Sequence, residues 1–137
     1  MNKIKVEPPQ FIANYPNYGI HPLLSVRDRL SVKTQLTGKG VTIAYLDAGF
    51  YMHPDIADRV AVHVDATTPD ILEAETVNHV DVTSWHGLMV SAIGSGDGHL
   101  SDGYYRGLAF ESNLVLIKVS NPQLQVKESD ILRGFEW

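Results

Sequence analysis

Two runs in this 137-residue chain are apolar at nearly every position: Val41-Thr42-Ile43-Ala44-Tyr45-Leu46, and Leu114-Val115-Leu116-Ile117 leading into Lys118 and Val119. A half-exposed strand alternates apolar and polar residues. A run without that alternation suits a parallel strand covered on both faces. Parallel strands cannot be joined by a tight hairpin and need a crossover, usually a helix. The sequence between and after the two runs supplies one. His86 to Ile93 reads as a short helix of small and apolar residues. A second helix is expected from Asp130, capped by Ser129, with Ile131, Leu132 and Phe135 apolar. A shorter strand is expected at Val60–Val64. Strand, helix, strand, helix in this order predicts an α/β domain with a mostly parallel sheet.

Turns and loops account for the rest. Thr37-Gly38-Lys39-Gly40 reads as a turn. Tyr51 to Asp55 reads as a loop in which Pro54 opposes a helix. Asp65 to Thr83 is polar and reads as a surface loop with one helical turn at most, and Ser95 to Gly103 as a glycine-rich loop. Pro8, Pro9, Pro16 and Pro22 mark residues 1–22 as an irregular arm, and Pro22 suits the first turn of a helix over residues 23–31. Residues 1–37 are therefore expected to pack as an arm and helix on a domain formed by residues 38–137.

Composition narrows the function classes. With 44% hydrophobic and 20% charged residues the chain can bury a core. A formal charge of −5, with lysines and arginines scattered, argues against nucleic acid as a partner, because phosphate binding needs a basic surface. The absence of cysteine excludes disulfides and cysteine-ligated zinc. No stretch has the apolar length to span a bilayer, so no membrane partner is expected. Met1 to Gln10 lacks the apolar centre of a secretory signal, which predicts a soluble chain without a visible leader and leaves its localisation open.

Asp47 and His86 are the residues with a chemical case. Asp47 stands where the first apolar run ends, before Gly49, and ligands and catalytic groups in open α/β sheets collect at such strand ends. His86 opens a helix beside Gly87, a residue that admits close approach of another backbone. Each has a plainer reading: a turn-capping aspartate, a helix-terminal histidine. As a pair they fit a general base and the carboxylate that fixes its tautomer and stabilises the imidazolium. Other groupings are poorer. His79, Asp81, His86 and His99 match no common zinc spacing, so no metal site is expected. Asp97 and Asp102 among Gly94, Gly96, Gly98 and Gly103 fit neither a calcium hand nor a phosphate loop. Trp85 reads as a core residue.

The flanks of the pair carry a resemblance. Gly40-Val41-Thr42-Ile43-Ala44-Tyr45-Leu46-Asp47-Ala48-Gly49 with His53-Pro54-Asp55-Ile56 is similar to the aspartate segment of subtilisin-like serine proteases. His86-Gly87-Leu88-Met89-Val90, then Ile93-Gly94, resembles their histidine segment. Tyr105-Arg106-Gly107-Leu108-Ala109 with Asn113 to Val119 resembles the following strand, and Ser129 to Trp137 the next helix. The resemblance covers roughly residues 38–137, apart from the interior of 57–83. It implies a three-layer α/β fold with helices on both faces of a mostly parallel sheet, present here as an incomplete, N-terminal part. It implies a serine endopeptidase acting on peptide or protein substrates, in which Asp47 orients His86 and His86 takes the proton of a serine. It implies that Gln123, Leu124 and Gln125, with Val126, pair substrate backbone as an added strand. Calcium is the only cofactor it brings into consideration.

The chain departs from the family at four places. Gln123, Leu124, Gln125 and Val126 stand where the family favours glycines. Ala48 and Leu88 replace hydroxyl residues that the family has beside the pair. The family's serine and oxyanion asparagine lie in segments that this chain lacks. Ser91, Ser95, Ser101, Ser112, Ser120 and Ser129 stand in other motifs. The isolated chain is accordingly expected to be inactive and to need the missing C-terminal part of the domain. Two further possibilities follow: a non-catalytic fragment or pseudo-protease module that needs a complementing piece, and an α/β binding domain in which Asp47 and His86 are structural.

Overall fold

The computed structural model describes residues 25–32, 35–74 and 81–137. The arm of residues 1–22, the start of the helix expected at 23–31, and His79 lie outside the described residues. In chain order the elements are α1 (Val26–Arg29), β1 (Thr42–Asp47), α2 (Pro54–Ala57), β2 (Val60–Asp65), β3 (Leu72–Glu73), α3 (Ser84–Ser95), β4 (Asn113–Lys118) and α4 (Glu128–Glu136), with a 3-10 turn at His99–Ser101 between α3 and β4.

The four strands form one sheet in the order β1-β4-β2-β3. β4 runs parallel to both β1 and β2, and β3 adds an antiparallel edge to β2. The sheet is mostly parallel, as the sequence predicts. Both apolar runs form strands, shifted by about one residue. They differ in burial. β4 lies between two neighbours and buries Leu114, Leu116 and Ile117. β1 has β4 as its single strand neighbour among the described residues, and Thr42 and Ala44 stay exposed. The expectation that both runs are covered on both faces therefore holds for β4 and not for β1.

Two apolar clusters lie on opposite faces of the sheet. Phe50, Ile56, Leu114 and Leu116 pack with Tyr45, Met52, Val60 and Leu88 on the side of α2 and α3. Val64, Ala66, Ile117 and Val119 pack with Leu46, Val62, Ile71 and Val115 on the side of α4. Along β1 and β4 alternate residues feed alternate clusters, as pleat geometry requires, while in β2 a register shift between Val60 and Val62 interrupts the alternation. Full burial of one such aliphatic or aromatic side chain contributes about 1.5–3 kcal/mol, so both helical layers are held by the sheet. The arrangement has three layers, with helices on both faces.

Local details correct three expectations. Pro54 starts a helix instead of opposing one. It occupies the first turn of α2, where its missing N–H costs no bond, and His53 Nδ1 caps that turn by accepting from Asp55 N at 3.2 Å. The polar stretch after Asp65 contains a strand, β3, paired at Val64↔Glu73 and Asp65↔Leu72. α4 begins at Glu128, so Ser129 lies inside the first turn and is not the cap; its hydroxyl donates to Asp130 Oδ1 at 3.2 Å.

Candidate active site

Asp47 is the last residue of β1, and His86 sits in the first turn of α3. His86 Nδ1 lies 2.9 Å from both Asp47 Oδ1 and Asp47 Oδ2. A carboxylate only accepts, so the proton of this contact resides on Nδ1 and Nε2 is left as an acceptor. The Asp47 side chain is 13% exposed and that of His86 58%. The backbone N–H of Ala48 donates to Asp47 Oδ1 at 2.7 Å, which fixes the carboxylate from below.

Glycine lets the two elements meet. A Cβ on Gly87 would fall on the carbonyl oxygen of Gly49 and against the Phe50 ring. A Cβ on Gly94, two turns along the same helix, would fall on the Tyr45 hydroxyl. α3 therefore lies directly on the end of β1, at a distance only glycine permits. The sequence expectation of a close approach at Gly87 is met by the backbone that follows Asp47. Leu88, which replaces a hydroxyl residue of the resembled family, packs on the Phe50–Ile56–Leu114–Leu116 cluster.

Polar bonds fix both ends of α3. At its start Asp81 Oδ1 accepts from Thr83 N, Thr83 Oγ1 and Ser84 N at 2.7–2.8 Å, and Ser84 Oγ accepts from Asp81 N at 3.0 Å. The Thr83 hydroxyl, followed by the Ser84 backbone N–H, holds the Asp81 carboxyl down at about 2. At its end buried Ser95 joins the Tyr45 hydroxyl at 2.8 Å and the Ser112 hydroxyl at 3.1 Å, linking α3 to β1 and to the residue before β4. Asp81 was missed as a helix anchor. Its signal was an aspartate two and three residues ahead of Thr83 and Ser84, the spacing at which a short carboxylate bonds local N–H groups.

None of the described serines bonds His86. Ser91 Oγ donates to Gly87 O, Ser101 Oγ to Gly98 O, and Ser120 Oγ to Asn121 O. Ser95, Ser112 and Ser129 are engaged as described above. Trp85, expected in the core, is 42% exposed, with its ring edge-on to His86 at 5.7 Å between centroids. An open depression of about 340 Å³ lies beside the pair, lined by Leu46, Asp47, Ala48, His86, Val119, Val126 and Ile131.

The structure places Gln123, Leu124 and Gln125 in a closed turn. Asn121 Oδ1 accepts from Gln123 N and Gln125 N at 3.0 Å, and Asn121 O accepts from Leu124 N at 2.9 Å. Leu124 has φ 59°, a left-handed conformation that glycine adopts freely and leucine does not. The backbone donors of these three residues are thus spent within the turn, with Ser120 and Val126 bridged behind it. No group of three or more histidine, aspartate or glutamate side chains comes together to hold a metal among the described residues.

Two other charged groups stand at the same end of the sheet. Lys118 Nζ bonds Asp65 Oδ2 at 2.7 Å, and Thr67 N and Oγ1 bond Asp65 Oδ1 at 2.8 and 2.6 Å. Burial pushes the Asp65 carboxyl up, but the Lys118 and Thr67 bonds together outweigh it and leave it below the ordinary value. Burial pushes His63 down from 6.5, and its Nε2 is buried with no hydrogen-bond partner among the described residues.

Comparison with known proteins identifies the family and the fold. The family model of the subtilases, Peptidase_S8, matches residues 38–137. The chain is similar to the serine protease AprX of Bacillus subtilis (strain 168), with 38% identity over 102 residues; the match covers 74% of this chain and 22% of that protein. The chain thus spans about a fifth of the curated relative it matches. Its fold is similar to that of the CspB protease of Clostridium perfringens, with a TM-score of 0.61 and 22% identity over 79% of this chain and 27% of that one.

Proposed function

This chain belongs to the subtilase family, and from that premise we propose that Asp47 and His86 are the acid and base of an Asp/His/Ser site that hydrolyses peptide bonds, with the serine contributed from outside residues 1–137. The observation that carries the proposal is the 2.9 Å contact of His86 Nδ1 with the Asp47 carboxylate. That contact fixes the tautomer in which Nε2 can accept a proton. When a serine hydroxyl attacks a peptide carbonyl, Nε2 takes its proton, Asp47 stabilises the imidazolium, and the proton then passes to the leaving amine. His86 is exposed enough to meet both serine and substrate, while Asp47 is shielded behind it.

Peptide or protein is the substrate class. Pairing of substrate backbone by Gln123, Leu124 and Gln125 would require the Asn121 turn to open, since its N–H groups are taken. The remainder of the domain is the proposed partner. It would cover the apolar side chains that α3 and α4 leave exposed, among them Met89, Ile93, Leu132 and Phe135. The described segment of residues 25–32 is tied to the domain by Arg27, whose Nη1 donates to Leu108 O at 3.1 Å and whose guanidinium lies 5.7 Å from the Phe110 ring centroid.

A fluorophosphonate probe, which labels only an activated serine, tests the proposal. In the full-length protein that carries this chain, labelling is expected on a serine outside it and is lost in His86→Ala. The 137-residue chain alone is expected to stay unlabelled. Labelling that survives His86→Ala would overturn the assignment.

A further inference from the structure

We propose that Asp65 is a positioning residue for the Asp47–His86 pair: by holding the Lys118 ammonium, it keeps that cation off Asp47 and leaves the Asp47 carboxylate to His86. The inference deepens the proposed function and rests on it. Lys118 is the central residue of a three-strand rung. It is in register with Asp47 on β1 and with Asp65 on β2.

All three side chains share one face of the sheet. Tyr45 and Leu116, two residues before Asp47 and Lys118, both belong to the cluster beneath α3. Val64 and Ile117, one residue before Asp65 and Lys118, belong to the opposite cluster. Side chains alternate along a strand, so Asp47, Lys118 and Asp65 all project on the α3 face. Neighbouring strands are about 4.8 Å apart, so a carboxylate stands within a lysine's sweep on either side.

The structure shows which one Lys118 takes. Its Nζ is 2.7 Å from Asp65 Oδ2, while both Asp47 oxygens face His86. Asp65 is itself held for this task, because Thr67 fixes its other oxygen by two bonds. The other charged and titratable groups lining the depression that Lys118 shares with Asp65 are His63 on β2, Glu73 on β3 and Asp81 before α3. Asp81 Oδ1 is taken by Thr83 and Ser84, and Asp47 is the other carboxylate on the rung of Lys118. Charge-assisted bonds are about twice as strong as neutral ones. A lysine released from Asp65 would therefore compete with the imidazole for Asp47.

The readout is the tautomer of neutral His86, followed by ¹⁵N NMR of histidine-labelled 137-residue chain at about pH 8. Five variants are compared with the parent. In the parent, Nδ1 carries the proton. Asp65→Asn is expected to shift His86 toward the Nε2–H form, with at least half of the Nδ1–H population lost. Lys118→Met is expected to leave the tautomer as in the parent, and the double variant to restore it. Rescue by removing the lysine is something a merely structural role for Asp65 would not give. Thr67→Ala, which loosens Asp65 without removing its charge, provides a gentler variant and should shift the tautomer in the same direction by less. If neither Asp65→Asn nor Thr67→Ala moves the tautomer, or if the double variant stays shifted, the inference is overturned. Asp47→Ala separates the two levels. If it leaves the His86 tautomer unchanged, the Asp47–His86 reading itself fails. If it moves the tautomer while the Asp65 variants do not, only the inference about Asp65 fails.

Discussion

The carbonyl oxygen of Gly49 occupies the place where a Cβ on Gly87 would stand. The residue after His86 is thus pressed on the backbone that follows Asp47, and this contact brings histidine and aspartate within 2.9 Å. The catalytic geometry proposed here depends on a missing side chain as much as on the two that are present.

Gly87→Ala should therefore move α3 away from β1. Overpacking of this kind costs about 1–3 kcal/mol. Chemical denaturation should show a loss in that range, together with a weakened His86–Asp47 contact in histidine NMR spectra. A variant as stable as the parent would show that the helix has room to spare.

Asp81 holds the first turn of the same helix. Removing a side-chain cap costs about 0.5–2 kcal/mol, and Asp81→Ala is expected to fall in that range. The acid side follows from its carboxyl being held at about 2, against 3.8 for the ordinary group. A depressed carboxyl contributes stability above its unfolded value, and the contribution is lost as pH falls through the folded one. The cap should thus weaken between about pH 4 and pH 2, and Asp81→Ala should flatten that part of a stability-against-pH curve.

His63 acts in a higher window. Burial favours its neutral form, so the unfolded chain binds the proton more readily below 6.5. Above that pH both states are neutral and the group is silent. As pH falls below 6.5, stability is lost until the folded-state value is passed. His63→Phe, which keeps a ring beside Phe50, should remove this dependence; thermal melts between pH 7.5 and pH 5 would measure it.

Leu124 is expected to be replaceable by glycine with a gain. Its φ of 59° costs a side chain about 1–2 kcal/mol, partly offset by the greater freedom of glycine in the unfolded chain. Leu124→Gly should be neutral to stabilising by about 1 kcal/mol in denaturant titrations. A clear loss would mean that the leucine side chain contributes packing at this turn.

Asp47, His86, the parallel strands and the helix after β4 were legible in the sequence because each carries a local signal: an apolar run, a strand-end carboxylate, a glycine beside a helix start. The family resemblance then joined them. What stayed hidden depends on distant partners. That β1 has a strand neighbour on one side only among the described residues follows from strand order, which no local pattern encodes. The Lys118–Asp65 bond joins residues 53 apart through a register that appears only when the sheet forms. Pro54 and Ser129 were misread for a subtler reason. Proline opposes a helix interior but suits its first turn, and a serine near a helix start caps it only if it stands at the boundary.

Peptide hydrolysis by the full-length protein that carries this chain tests the Asp47–His86 assignment most directly. In triad enzymes of this kind, loss of the histidine costs on the order of 10⁶ in kcat and loss of the aspartate on the order of 10⁴. His86→Ala and Asp47→Ala are expected to lower kcat by about those factors, with KM little changed. Hydrolysis at the parental rate in either variant would contradict the roles assigned to the pair.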